Sequence, residues 1–201
     1  MTAVLDVGCG EKRDPAATDG LDFYPYPGVT IVHDATVLPW PIADASFDAL
    51  VSHQLVEHLP ATGASGGRDP FFDFFDEAWR VLRPGGTFAF DVPHHSWPDA
   101  YGDPTHRRFY SERSFSHLWD ATRDPLYPRR KWDLVSLRTD FWFALPRTLE
   151  HGRVASGLLN TWHLRRHAPS LDRIAQRLGL GVPHFIYVEL RKPPANGGSH
   201  P

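Results

Sequence analysis

The chain opens on short apolar runs of strand length, separated by turn-forming residues. Ala3–Val7 (AVLDV) ends in Gly8-Cys9-Gly10, the pattern of a buried strand meeting a tight turn. Val29–His33 (VTIVH) is a second strand candidate, bounded by Pro27-Gly28 and Asp34. Phe47–Ser52 (FDALVS) is a third, leading into a short helix around Gln54–Leu59 that Pro60 closes. Ala61–Arg68 is a Gly/Ser-rich loop. Asp69 then caps a helix with Pro70 at its first position, running to about Leu82. Phe71, Phe74, Phe75, Ala78, Trp79 and Leu82 recur at helical spacing and form one apolar face. Pro84-Gly85-Gly86 stops it, and Thr87–Val92 (TFAFDV) predicts a further strand. Strand and helix alternate this far, which argues for a doubly wound α/β sheet, mostly parallel, with helices on its faces.

The second half is less regular. Ser111–Ala121 has a helical pattern, Trp132–Phe143 alternates as a long strand, and Leu149–His167 carries a weak helical pattern. Ser170–Leu178 predicts a short capped helix, and His184–Arg191 (HFIYVELR) a final, antiparallel strand. The expected organisation is one domain over 1–192. Residues 1–95 form a cofactor-binding half and 96–192 a substrate-side half with an insertion at about 145–169, followed by a disordered Pro/Gly/Asn-rich tail from 193 to 201.

Composition narrows the class. A chain of 201 residues, 41% hydrophobic and 22% charged, suits one globular core. Residues 1–8 carry no signal-like stretch, no apolar run is long enough to span a bilayer, and Cys9 is the single cysteine. Zinc-thiolate clusters and internal disulfides are excluded, and a cytoplasmic protein is expected. The net charge of −3 divides unevenly: residues 1–105 hold 5 Lys/Arg against 16 Asp/Glu, and residues 106–201 hold 16 against 8. A basic half pairing with an acidic half accounts for this, as would a surface for an anionic ligand.

The strongest chemical signal is Leu5-Asp6-Val7-Gly8-Cys9-Gly10. Glycines after a buried strand let the backbone approach a ligand where a Cβ would intrude. Ligands of doubly wound sheets sit at that end of the strands. Asp22 follows in Gly20-Leu21-Asp22, where a carboxylate can accept from both hydroxyls of a ribose. Asp34 follows the VTIVH run and could accept from an adenine amino group. A nicotinamide dinucleotide is the competing ligand, but Arg13 stands where Gly-x-Gly-x-x-Gly requires its third glycine.

These residues, taken in order, resemble motifs I to III of the class I S-adenosylmethionine-dependent methyltransferases. Leu38-Pro39-Trp40-Pro41, Ser46-Phe47-Asp48, Leu55-Val56-Glu57-His58-Leu59 and Glu77 to Gly86 (EAWRVLRPGG) continue the likeness to the type 11 group, compact bacterial and phage members included. The resemblance covers roughly residues 3–95 and implies S-adenosyl-L-methionine as cofactor. It implies that Gly8, Cys9 and Gly10 line the methionine part, with Asp6 orienting the loop and holding the amino group. Asp22 would bind the ribose, Phe23 would stack near the adenine, and Asp34 with the Ala35 backbone would read its edge. Ser52 and His53 would face the methyl-sulfonium and the substrate. The short, Pro15-interrupted stretch between Gly10 and Asp22 replaces the family's usual helix, and no helix precedes the first strand.

Transfer from a sulfonium needs positioning above all, and a hydroxyl or ammonium acceptor needs a base as well. Histidines cluster after the TFAFDV run, and the segment Asp103 to Tyr110 (DPTHRRFY) resembles a stretch following that strand in small methyltransferases. His106 is the first candidate base, His94 and His95 the next, and Tyr110 a positioning donor. Glu57 and His58 read as structural or as cofactor wall. Arg107 and Arg108 are candidates for clamping an anion. Asp91, His94, His95, Asp99, Asp103 and His106 show no recognised ligand spacing, so no metal is assigned. The Asn/Asp-Pro-Pro-Tyr/Phe motif of base amino-methylation is absent. Dense Lys/Arg runs are absent too, which disfavours nucleic acid. The expectation is O- or N-methylation of a small molecule, an anionic one among the candidates, by a soluble monomer or homodimer. A non-catalytic cofactor-binding module and a nucleic-acid or protein methyltransferase are the alternatives.

Overall fold

The structure, a computed structural model, describes residues 2–61, 68–120, 130–142, 149–150, 153–154 and 182–195. In chain order it contains β1 (Val4–Val7), β2 (Asp19–Asp22), β3 (Ile31–Val32), β4 (Phe47–His53), α1 (Pro70–Val81) and β5 (Leu82–Pro93). There follow the one-turn α2 (Asp99–Gly102), β6 (Asp133–Trp142), β7 (Leu149–Glu150), β8 (Arg153–Val154) and β9 (Val182–Arg191). Val56–His58 and Glu112–Leu118 are 3-10 turns.

Seven strands form one sheet in the order β3-β2-β1-β4-β5-β9-β6, and β7 with β8 makes a separate ribbon. Pairing is parallel from β3 to β5, and β9 runs antiparallel to both of its neighbours. The chain builds outward from β1 to β3 and then returns to β1's other edge with β4. That reversal opens a crevice at the carboxyl ends of β1 and β4.

Helix α1 anchors the core below the crevice. The Asp69 side chain accepts from the Phe71 N–H (2.9 Å) and Pro70 opens the helix, meeting the expectation for its start. Phe71, Phe74 and Phe75 pack with Phe88, Phe90 and Phe115 into a buried aromatic cluster. At the other end the buried Lys192 ammonium donates to the Trp79 (2.8 Å) and Leu82 (2.6 Å) carbonyls and lies 3.8 Å from the Trp79 ring centroid. It satisfies carbonyl groups that a helix terminus leaves open.

Several expectations are corrected. Asp19–Asp22 is a strand, though only Leu21 among its four residues is a large apolar side chain. Parallel pairing with β1 and β3 makes it one, and Gly20 admits close packing on it: a Cβ there would stand 2.7 Å from Cys9 Sγ and 3.0 Å from the Gly28 carbonyl. The helix expected at 54–59 is a single 3-10 turn, and the one at 111–121 is a 3-10 turn over Glu112–Leu118. Strand β5 begins at Leu82 rather than Thr87, because Leu82 already pairs with Phe47 before the register shifts across Pro84-Gly85-Gly86. Leu149–Glu150 and Arg153–Val154 are an antiparallel ribbon where a helix was expected. The rest of the expected 145–169 insertion, the 170–178 helix and residues 196–201 lie outside the described residues. Among the described residues, no helix is long and apolar enough to cross a membrane.

Candidate cofactor cleft and adjoining hollow

The crevice at the strand ends is a hollow of about 440 Å³ lined by Gly8, Asp22, Phe23, Asp34, Ala35, Thr36, Gln54, Leu55, His58 and Thr105. Its size suits a small-molecule site, about 300–1,000 Å³. Each wall follows from a strand end. Gly8 leaves β1 with φ +74°, and a Cβ on it would meet both Leu55 Cδ atoms at 2.9 Å. Asp22 ends β2 buried. Its Oδ2 accepts from the Gly10 N–H and its Oδ1 from the Tyr24 N–H, both at 2.9 Å. A carboxylate oxygen has a second lone pair, so either atom can still accept from a ligand hydroxyl. Phe23 is 61% exposed, an aromatic face left uncovered beside the hollow. After β3, Asp34 Oδ1 accepts from the Thr36 N–H and hydroxyl (2.8 Å each).

Three other residues of the glycine turn support it without lining the hollow. Asp6 is buried; its Oδ2 accepts from the Asp14 N–H (2.7 Å), and its Oδ1 is buried without a partner. Desolvation pushes the Asp6 carboxyl above its ordinary range. Cys9 packs its thiol against Gly20, where burial raises it to about 11, so it stays protonated at neutral pH. Gly10, at φ +56°, donates to Asp22.

The side chains of Ser52 and His53 are placed away from this hollow, which corrects their expected position. Ser52 is fully buried and its hydroxyl donates to the Val7 carbonyl (2.8 Å), just beyond the last β1–β4 pair, Asp6 with Val51. His53 lines a different hollow with Asp14, Asp91, Arg138 and Tyr187. Its Nδ1 lies 2.5 Å from Asp91 Oδ1 and its Nε2 3.3 Å from Asp14 Oδ2. The Asp91 hydrogen bond, opposed by burial, raises the imidazole to about 9, so it is charged at neutral pH. The other Asp91 oxygen accepts from Gln54 Nε2 (2.5 Å), which fixes the Gln54 side chain.

Gln54 also belongs to a second hollow, of about 590 Å³, with Pro93, Asp99, Gly102, Asp103, Pro104, His106 and Phe185. Residues 105–110 are pinned against the 56–60 turn. Arg107 and Arg108 N–H donate to the Glu57 carbonyl (2.8 and 3.1 Å), and the Tyr110 hydroxyl to the Val56 carbonyl (3.1 Å). The Arg108 guanidinium donates to the Leu59 and Pro60 carbonyls and to Asp69. Arg108 and Tyr110 are thereby committed to the fold, which corrects the expected clamp and positioning donor; the buried Tyr110 phenol is pushed far above its usual range by desolvation.

The three histidines differ. His94 is buried, its Nδ1 accepts from the Ser96 N–H (3.1 Å), and its Nε2 lies 3.6 Å from Glu112. Burial lowers it, and its lone pair is occupied. His95 is exposed and its ring lies 4.4 Å from that of His94. Neither lines the two hollows. His106 lines the second one, with Nδ1 2.8 Å from the Ala100 carbonyl. A carbonyl only accepts, so Nδ1 carries the proton and Nε2 the lone pair. Nε2 lies 4.0 Å from Glu57 Oε1, and the ring stands edge-on to His58 at 4.7 Å between centroids. Glu57 is fully buried, neither of its oxygens has a partner, and desolvation raises it to about 8.

Residues 5–90 match the family described as Methyltransferase domain. That match spans under half of the 201-residue chain. The chain is similar to a probable S-adenosylmethionine-dependent methyltransferase of Mycolicibacterium smegmatis, 35% identical over 106 residues, covering 45% of this chain and 37% of that protein's length. Its fold resembles that of an S-adenosylmethionine-dependent methyltransferase from Archaeoglobus fulgidus (TM-score 0.57, 15% identity, 95% of this chain and 86% of that one). It also resembles the 1,6-didemethyltoxoflavin-N1-methyltransferase of Burkholderia thailandensis, solved with 1,6-didemethyltoxoflavin and S-adenosylhomocysteine (TM-score 0.53, 16% identity, 96% and 71%). At these identities the structures speak for the fold.

Proposed function

We propose that this methyltransferase domain transfers a methyl group from S-adenosylmethionine to an oxygen or nitrogen of a small molecule held in the second hollow. The observation that carries the reading is the hollow at the β1–β4 reversal, with Gly8 at its floor and the doubly hydrogen-bonded Asp22 carboxylate at its wall. Those residues fit the cofactor: an open glycine turn, a carboxylate with acceptor capacity to spare, and an uncovered aromatic ring. Asp22 would hold the ribose hydroxyls and Phe23 would cover the adenine. Asp34 and the Ala35 backbone would meet the adenine edge, and Gly8 the methionine part, on a loop that Asp6 holds through Asp14. When bound, the cofactor supplies a methyl group already activated by positive sulfur.

The chain's own contribution is orientation and proton handling. Gln54, fixed by Asp91, borders both hollows and would orient the acceptor. His106 Nε2, left with its lone pair by the Nδ1 bond to Ala100, would take the acceptor's proton. Among the described residues Asp99 and Asp103 line the second hollow and no Lys or Arg does, so we revise the expected anionic acceptor to a neutral or positively charged one.

Titration calorimetry of the full chain tests the core of this reading. S-adenosylhomocysteine should bind at one per chain and NADH should not. A folded protein that ignores S-adenosylhomocysteine would overturn it. His106→Asn should then keep that affinity and lose about a hundredfold in turnover, the scale of general-base catalysis.

A further inference from the structure

We propose that Glu57, His58 and His106 form a binding site for one divalent transition-metal ion, at the wall between the two hollows. A nitrogen of each ring and an oxygen of Glu57 lie within 4.8 Å of one another. Two ligands of one zinc-class ion stand about 3 to 4 Å apart, so small side-chain shifts close the set.

Two further features single out this cluster. Glu57 is fully buried with both carboxylate oxygens unpartnered. A buried acceptor without a donor costs about 1–3 kcal/mol, and among the described residues none donates to the Glu57 carboxylate; a cation would offset that cost. Both imidazoles also keep one nitrogen lone pair while the other nitrogen is hydrogen-bonded. His106 Nδ1–H donates to the Ala100 carbonyl, leaving Nε2 free to coordinate. The Thr105 hydroxyl donates to Asp103 Oδ1 (2.6 Å), so its oxygen accepts from His58 Nδ1 at 3.0 Å, which leaves the His58 Nε2 lone pair as well. Imidazoles fixed through their other nitrogen by carbonyl or carboxylate-linked groups are the usual outer support of metal ligands.

Two imidazoles and one carboxylate suit zinc, cobalt, iron or nickel over magnesium or calcium. Three protein ligands leave positions open for an acceptor oxygen or nitrogen from the second hollow. The binding site stands on this geometry alone; its use rests on the methyl-transfer reading. Ion binding and proton acceptance employ the same His106 lone pair. The loaded protein would therefore activate its acceptor through the ion, the proton passing to water.

The test uses the full chain, chelator-treated and then titrated with Co²⁺ and with Zn²⁺. The expected result is one equivalent bound, with the visible absorption of low-coordinate cobalt, and Zn²⁺-dependent shifts of the His58 and His106 ring resonances. Glu57→Gln and His58→Asn should each weaken binding at least tenfold. The cooperative unfolding transition of each sample reports folding, and S-adenosylhomocysteine binding is measured alongside. Folded wild type with no stoichiometric ion, or unshifted His58 and His106 rings, overturns the proposal even if a variant fails to fold. So does undiminished binding in both variants, which would place the ion on other histidines among the chain's 12. Loss of S-adenosylhomocysteine binding with the ion retained counts against the methyl-transfer reading and not against the metal site.

Discussion

Replacing Asp22 by Asn separates the cofactor reading from a merely structural carboxylate. Asp22 accepts from two backbone N–H groups, Gly10 and Tyr24, at 2.9 Å each. Asn has the same shape but one acceptor atom and no charge, so its amide would face one of those N–H groups, donor to donor. Hydrogen bonds to a charged acceptor contribute about 1.5–3 kcal/mol each, so the variant should lose about 2–4 kcal/mol of stability. Loss of a two-point charged contact to the ribose, about 3 kcal/mol, is about a hundredfold in affinity. Asp34→Asn is the internal control: Asp34 is exposed and serves only its own turn through Thr36. Its S-adenosylhomocysteine affinity should fall by about tenfold at most, the scale of one solvent-screened contact. Denaturant unfolding measures the stability change and calorimetry, at a temperature where each variant is folded, measures the affinity. A folded Asp22→Asn protein binding within about threefold of wild type, the reach of under 1 kcal/mol, would refute the assignment of the ribose to this residue.

Three other outcomes are expected. Gly20→Ala places a Cβ 2.7 Å from Cys9 Sγ and 3.0 Å from the Gly28 carbonyl oxygen; thermal unfolding should show about 1–3 kcal/mol of overpacking, and an unchanged midpoint would contradict the close packing of Cys9 and Gly28 on Gly20. Lys192→Met removes the ammonium that donates to Trp79 and Leu82. Two charged hydrogen bonds predict a loss of about 2–4 kcal/mol in denaturant unfolding, and a neutral effect would show that these carbonyls need no cap. His53 is raised to about 9 by Asp91. Its stabilisation is therefore complete below the unfolded value near 6.5 and fades as pH rises through 9. Its side chain is 54% exposed, so solvent screening leaves about 1 kcal/mol. His53→Ala should cost more at pH 6 than at pH 10, and equal costs would count against the ion pair.

The parts of the site carried by local pattern were legible in the sequence. AVLDV before Gly8-Cys9-Gly10, and Asp69-Pro70 before a phenylalanine stripe, have local causes, and the structure builds β1 and α1 there. Strand β2 was not legible, because Asp19-Gly20-Leu21-Asp22 becomes a strand through pairing with β1 and β3 rather than through a local apolar pattern. Side-chain direction was also hidden. Ser52 at the end of β4 bonds back to β1, and Tyr110 turns its hydroxyl into the Val56 carbonyl. Neither direction follows from spacing. Thr105 reaches His58 across 47 residues, so its place in the cofactor hollow depends on how the 105–110 segment docks on the 56–60 turn.

The most direct measurement is a crystal structure of the protein with S-adenosylhomocysteine. The account predicts the ligand across the carboxyl ends of β1 and β2, its ribose hydroxyls on Asp22, its adenine against Phe23 and its amino acid end over the Gly8 turn. A ligand seated elsewhere, or a ribose with no contact to Asp22, would contradict it.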